Sequence, residues 1–217
     1  MSDIFNEVDE EVRREQLKRL WDRYGTLIVA ALVLFVLGIA GWRGYEWWAA
    51  RKAAETGAAF EAAITLSEQG KTADAQAAFA QIAKDGNAGY RALARFREIS
   101  ELAATDSKAA ISAYDALSTD SSVGPVLRDL AALRAGGLQV DIAPYDQVQR
   151  RLEPLTSPTG TFRHTAREYL ALSAWRAGDT AATKKWVDAI LSDGETPAAS
   201  RSRAEVLSAL TTSDGKS

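Results

Sequence analysis

The 217-residue sequence contains no cysteine and a single histidine, His164. Without cysteine there is no disulfide, no thiolate nucleophile, no thiolate-ligated metal and no lipidated cysteine of the lipoprotein type. One histidine cannot surround a metal, and it offers little basis for a histidine general base. Charge of one sign is missing too: 26 Lys+Arg stand against 29 Asp+Glu, and residues 49–217 hold 20 against 21. A nucleic-acid-binding domain is normally strongly basic, so that partner is not expected. No glycine-rich loop follows a strand pattern, and no Ser/His/Asp or Cys/His set can be assembled. The acid pairs Asp9/Glu10/Glu11 and Glu98/Glu101 fall in helical stretches, where solvated surface is the default. The expectation is a non-enzymatic chain with no catalytic residue, metal, cofactor or small-molecule substrate.

One long apolar run is present. Residues 25–42 (GTLIVAALVLFVLGIAGW) carry no charge, and ten of these positions are Leu, Ile, Val or Phe. At about 1.5 Å per residue the run spans roughly 27 Å as a helix, close to a bilayer's hydrocarbon thickness. A core helix seldom needs every face apolar over five turns. Trp21 and Tyr24 precede the run, and Trp42, Tyr45, Trp47 and Trp48 follow it, so four of the six tryptophans flank one segment. Such rings favour the headgroup region. The acid-rich segment before the run is unlike the basic n-region of a cleaved signal, and bulky residues follow it where cleavage needs small ones. Five Lys/Arg precede the run (Arg13, Arg14, Lys18, Arg19, Arg23) and three follow it (Arg43, Arg51, Lys52). That bias places the N-terminus in the cytoplasm and, in a bacterium, the remainder in the periplasm. Gly38, Gly41 and Gly44 are spaced by three rather than four, so they do not form the GxxxG dimer motif; homo-oligomerisation stays open.

The rest of the chain repeats. Counted from Gly70, Phe79 stands at +9, Ile82 at +12 and Asp85 at +15; counted from Gly178, Val187, Ile190 and Asp193 occupy the same offsets. A third unit fits with Thr105 in place of the glycine and Ala110, Tyr114 and Leu117 following. A fourth takes Gly136 or Gly137 as its turn, then Tyr145, Val148 and Leu152. The intervals bracket the 34-residue tetratricopeptide (TPR) period. In such repeats two helices form each unit, and the +9 and +12 side chains plug the gap to the next. The spacing predicts helix pairs at 53–84, 88–118, 123–153 and 162–192 and a capping helix at 197–211, with residues 155–160 as the clearest loop. Gly44 and Gly57 are the only breakers between the apolar run and the first pair. Trp175, Trp186, Tyr90, Tyr114 and Tyr169 are expected in the core, and His164 at a helix start.

The reading is therefore an all-α protein: a single N-terminal transmembrane helix followed by a TPR-like helix-pair solenoid with a C-terminal capping helix. The expected domains are an amphipathic cytosolic tail over 1–23, a transmembrane helix over 24–48, a TPR-like periplasmic domain over 49–211 and a frayed tail over 212–217. Residues 7–25 (EVDEEVRREQLKRLWDRYG), followed at once by the apolar run, resemble the YfgM-like family, as do residues 151–155 (RLEPL) and 172–179 (LSAWRAGD). The resemblance implies an ancillary subunit of the Sec translocon in the bacterial inner membrane. Such a protein contacts SecYEG and periplasmic chaperones such as PpiD, and helps hand over emerging polypeptides. The alternative kept alongside it is an envelope scaffold that coordinates cell-wall synthesis or division through the same TPR groove.

Overall fold

The computed structural model describes the backbone of residues 3–214 and the side chains of residue 18 and residues 21–212. Nine α-helices and one 3-10 turn make up the secondary structure of the described residues, with no strand. They are α1 (Asp3–Glu68), α2 (Thr72–Asp85), α3 (Ala88–Ala103), α4 (Ser107–Thr119), α5 (Pro125–Gln139), α6 (Tyr145–Leu152), α7 (Arg163–Arg176), α8 (Thr180–Leu191) and α9 (Ala198–Asp214). The 3-10 turn, Glu153–Thr156, runs into the start of the segment expected to be a loop. The chain divides into two compact units, Met1–Glu55 and Thr56–Ser217.

In the first unit, α1 is apolar on every face through the uncharged run. Leu27, Leu34, Phe35, Val36 and Leu37 are all exposed, and the best 18-residue window has a mean hydropathy of 2.3 with only 6% of it buried. This is the one helix among the described residues that is long and apolar enough to cross a membrane. Glycine does not interrupt it, because Gly38, Gly41 and Gly44 lie within the helix. Glu10 and Arg14, and Glu15 and Arg19, stand at the i,i+4 spacing of helical ion pairs, and their side chains lie outside the described residues.

The second unit is built by stacking. Residues 56–68 of α1 pack on α2 through Phe60, Ala63, Ala75 and Phe79; α3 pairs with α4, α5 with α6 and α7 with α8, and α9 closes on α7 and α8. Three apolar clusters follow one another along the chain. The first joins Phe60, Ala63, Ala75, Phe79, Ile82 and Ala94; the second centres on Ile99, Tyr114, Leu117 and Val123; the third on Val148, Leu152, Leu170, Trp186, Val187 and Ile190. The residues at +9 and +12 in the repeat are thus core residues in every unit except the fourth, where Tyr145 is half-buried while Val148 and Leu152 are fully enclosed.

The turns explain the repeat's anchor positions. Gly70 and Gly178 are the two described residues with positive φ, at 74° and 73°. In both turns two backbone bonds close the preceding helix: Gly70 N–H to Ser67 O (2.9 Å) and Lys71 N–H to Leu66 O (3.0 Å), then Gly178 N–H to Trp175 O (2.9 Å) and Asp179 N–H to Ala174 O (3.0 Å). This is the Schellman pattern, which needs a left-handed residue where glycine stands. Thr105 serves the third unit without such a residue. There the chain turns through right-handed Ala104, and the Asp106 carboxylate caps α4 by accepting from Ala109 N–H at 2.9 Å.

The fourth unit departs from expectation. Gly136 and Gly137 do not turn the chain; they lie inside α5, and the turn falls at residues 140–144. Their role is close approach. A Cβ on Gly136 would collide with the Leu152 side chain, and one on Gly137 would sit 2.9 Å from Tyr169 Cε2. Gly57 works likewise, facing the Tyr90 hydroxyl 2.9 Å from where its Cβ would be. Pro197 is not inside the last helix but caps it, its carbonyl accepting from Arg201 N–H at 3.0 Å. Helix α9 runs to Asp214, three residues beyond the expected 211, and residues 215–217 lie outside the described residues.

Two glycine substitutions and a control separate these roles. Gly178→Ala places a side chain in the left-handed region and should cost about 1–2 kcal/mol in urea unfolding of the full chain in detergent. Gly194→Ala, with open space at its Cβ and no positive φ, should stay within about 0.5 kcal/mol. Gly136→Ala gains about 1 kcal/mol of helix propensity but overpacks a fully buried Leu152 at about 1–3 kcal/mol, so net destabilisation is expected in the same measurement.

Candidate interaction surface

Helices α3 and α5 border an open cleft with side chains at the edge of their core stripes. On α3, Ala94 and Ile99 point into the core, while Leu93, Phe96, Arg97 and Ser100 recur at three- and four-residue spacing on another side. On α5, Ala131 and Ala135 are buried, while Leu127, Leu130 and Arg134 share a second stripe. With Phe60 from α1 and Tyr114 from α4, these stripes line a cleft of about 440 Å³. The floor is apolar. Phe60 meets Phe79 edge-on at 5.4 Å and Tyr90 at the same centroid distance, and Phe96 lies 6.0 Å from Tyr114. These contacts fix the aromatic rings below the cleft, while Leu93 stands 48% exposed beside it.

Two polar groups matter here. The Tyr114 hydroxyl donates to Phe96 O at 3.4 Å. Burial pushes that hydroxyl up, and the Arg134 guanidinium pulls it the other way, so it is a neutral phenol at physiological pH. Arg97 and Arg134 are exposed, and neither is in an ion pair among the described residues. No carboxylate lines the cleft.

The other charged clusters join helices. Asp193, in the loop after α8, accepts from Arg163 Nε at 2.9 Å, from Arg167 Nη1 at 2.8 Å and, through its other oxygen, from Glu195 N–H at 3.0 Å. The Arg163 bond chiefly, then that backbone bond, holds its carboxyl well below the usual carboxylate range. Arg167 also donates to Ala189 O and Thr156 O, and Arg201 donates to Leu191 O and Asp193 O. The bonds to Ala189 O and Leu191 O satisfy carbonyls at the end of α8, and the bond to Thr156 O ties α7 to the 3-10 turn. Arg151 reaches Asp115 on α4 and Gln139 on α5, joining three helices.

The residues singled out in the sequence are dispersed through this framework. His164 opens α7, where Thr196 Oγ1 donates to Ile190 O at 2.8 Å and its oxygen faces His164 Nδ1 at 3.2 Å. Burial, then the charge of Arg163, lowers the imidazole's affinity for a proton. Trp186 is core as expected, its Nε1–H donating to Tyr145 Oη at 2.8 Å. Trp175 is not; it is 40% exposed, because the core stripe of α7 runs through Ala166, Leu170 and Ala174 and the next position rotates away. Tyr114 is buried, and Tyr90 and Tyr169 are half-buried. Glu101, expected at the surface, is buried and accepts from Ser67 Oγ at 2.6 Å, tying α3 to the end of α1. Glu98 is half-buried, and burial raises its carboxyl. Asp9, Glu10 and Glu11 have side chains outside the described residues. Among the described residues no group of three His, Asp or Glu side chains is placed to hold a metal ion.

The sequence of residues 18–189 matches the tetratricopeptide repeat-like domain family. The chain belongs to that family. The match covers the apolar run and the helix pairs of the TPR-like domain as far as Ala189 in α8, and ends before α9. Domains of this kind are generally non-catalytic and bind proteins. No curated protein and no solved structure matches the chain.

The Asp193 cluster gives a pH-dependent outcome. Asp193→Asn should lower the unfolding midpoint at pH 7. A carboxyl with a depressed folded pKa contributes its stability above its unfolded value, about 4, and loses it as pH falls toward the folded value. The difference between wild type and variant in thermal melts should therefore be constant from pH 7 to 5 and shrink below about pH 4.

Proposed function

We propose that the chain is a membrane-tethered, non-catalytic interaction module, held in the bacterial inner membrane by residues 24–48. Its tail 1–23 would be cytosolic and its TPR-like domain, residues 49–211, periplasmic. The observation that supports this reading is the open cleft between α3 and α5, floored by outer edges of core side chains such as Phe60 and Tyr114 and flanked by the exposed Leu93. A concave, apolar-floored cleft of this kind suits the docking of a segment of another chain.

Tethering draws on the helix. A buried core helix would hide its apolar window, whereas here 6% of it is covered. Trp21, Tyr24, Trp42, Tyr45, Trp47 and Trp48 are all exposed at its two ends, and Arg51 and Lys52 lie over the rings of Trp47 and Trp48 at 5.7 and 5.5 Å. Aromatic rings topped by cations suit the headgroup layer. The finer assignment, an ancillary subunit of the Sec translocon that contacts SecYEG and chaperones such as PpiD, draws on the resemblance of residues 7–25, 151–155 and 172–179 to the YfgM-like family.

Two measurements test it together. Protease added to spheroplasts should remove the TPR-like domain, and SecYEG subunits should co-purify with the full chain in mild detergent. A domain protected from protease would place it in the cytoplasm and end the periplasmic reading. Absence of the translocon, with septal enrichment of a fluorescent fusion, would favour the envelope scaffold instead.

A further inference from the structure

We propose that the cleft between α3 and α5 selects a partner segment that is both apolar and acidic. The inference rests on the interaction-module reading and adds the chemistry of what is bound. Its starting point is the charge of the cleft's lining. The charged side chains there are Arg97 on α3 and Arg134 on α5; no carboxylate lines the cleft, and neither arginine is in an ion pair among the described residues. Both lie near enough to act on the Tyr114 hydroxyl from the cleft's two walls.

The domain as a whole is close to neutral, so no general field attracts acidic partners. Any preference for acid must come from this local arrangement. The apolar floor of Phe60, Phe96, Leu127 and Leu130 takes large side chains, and the cleft has room for a few of them. Carboxylates that flank those side chains then meet a guanidinium on either wall, each able to bind both oxygens in its fork. The Ser100 and Tyr114 hydroxyls supply hydrogen-bonding groups between the walls. Because both arginines are exposed, the floor supplies most of the affinity and the arginines supply selectivity, encounter rate and salt sensitivity.

The test uses the full chain in detergent micelles and a short fluorescein-labelled peptide in which leucine and glutamate alternate. Companion peptides carry glutamine or lysine in place of glutamate. At low salt the glutamate peptide should bind roughly three- to tenfold tighter than the glutamine peptide, and the gap should narrow at high salt. Arg97→Gln with Arg134→Gln should erase the gap, bringing the glutamate peptide's affinity down to that of the glutamine peptide. Arg97→Glu with Arg134→Glu should reverse it in favour of the lysine peptide. Circular dichroism checks that both variants keep their helical content.

Equal binding of the glutamate and glutamine peptides would overturn the proposal, as would a glutamate preference that survives in the arginine variants. If all peptides bind alike and Leu93→Asp abolishes that binding, the cleft still docks segments and only the acidic selectivity falls. If no peptide binds, the proposal falls, and co-purification with the translocon decides the module reading separately.

Discussion

A pair of amphipathic helices cannot cover its own apolar surface, and the second unit is organised around that deficit. Each pair is completed by the next, through side chains that follow the turn by nine and twelve residues. Phe79 and Ile82 close against α3, Tyr114 and Leu117 against α5, and Val187 and Ile190 against α9 and α7. The core is therefore a file of three clusters rather than one centre, and it ends only where α9 supplies a last covering surface without a pair of its own. The ion pairs follow the same geometry. Arg151, Arg163 and Arg167 each bridge elements that neighbour one another in the stack.

The same amino acid solves two separate problems in this stack. At Gly70 and Gly178 glycine is there for its backbone, since a left-handed residue must end one helix before the next begins. At Gly57, Gly136 and Gly137 it is there for its missing side chain, since an aromatic ring or a leucine occupies the space a Cβ would need. The fourth pair shows how the two can be confused. Its turn is made by residues 140–144 ahead of α6, which Pro144 opens with its fixed backbone, while Gly136 lets α5 draw close to α6 and Gly137 lets it draw close to α7.

That confusion marks the limit of what the sequence discloses. The helix pairs and their order are legible because the buried positions repeat at a fixed distance from a turn, and a turn that needs positive φ leaves glycine as its trace. Gly136 fails as a guide because sequence alone does not distinguish a glycine that bends a chain from one that admits a neighbour. Trp175 misleads for a related reason: size and apolarity suggest burial, but the stripe through Ala166, Leu170 and Ala174 decides which face of α7 is covered. Glu101 reads as surface because its partner, Ser67, lies one repeat away. The cleft itself leaves a faint trace. Leu93 is surplus to the core stripe of α3, while Phe96, Leu127 and Leu130 pack partly on the core and leave an edge open, which a single-face reading of amphipathicity passes over.

A stack closed only by its neighbours also has a direction. Almost everything that holds a given pair in place comes from the pair just before or just after it, so little in the domain must wait for a distant part of the chain. Loop closure then costs little entropy at each step, and low contact order favours rapid assembly. A chain that emerges with residue 49 ahead of residue 214 can consolidate one pair upon the last as each becomes available. The cleft lined from α1, α3, α4 and α5 draws on no residue of α6 to α9. In such a molecule the order of residues is also a timetable, and this cleft comes early in it.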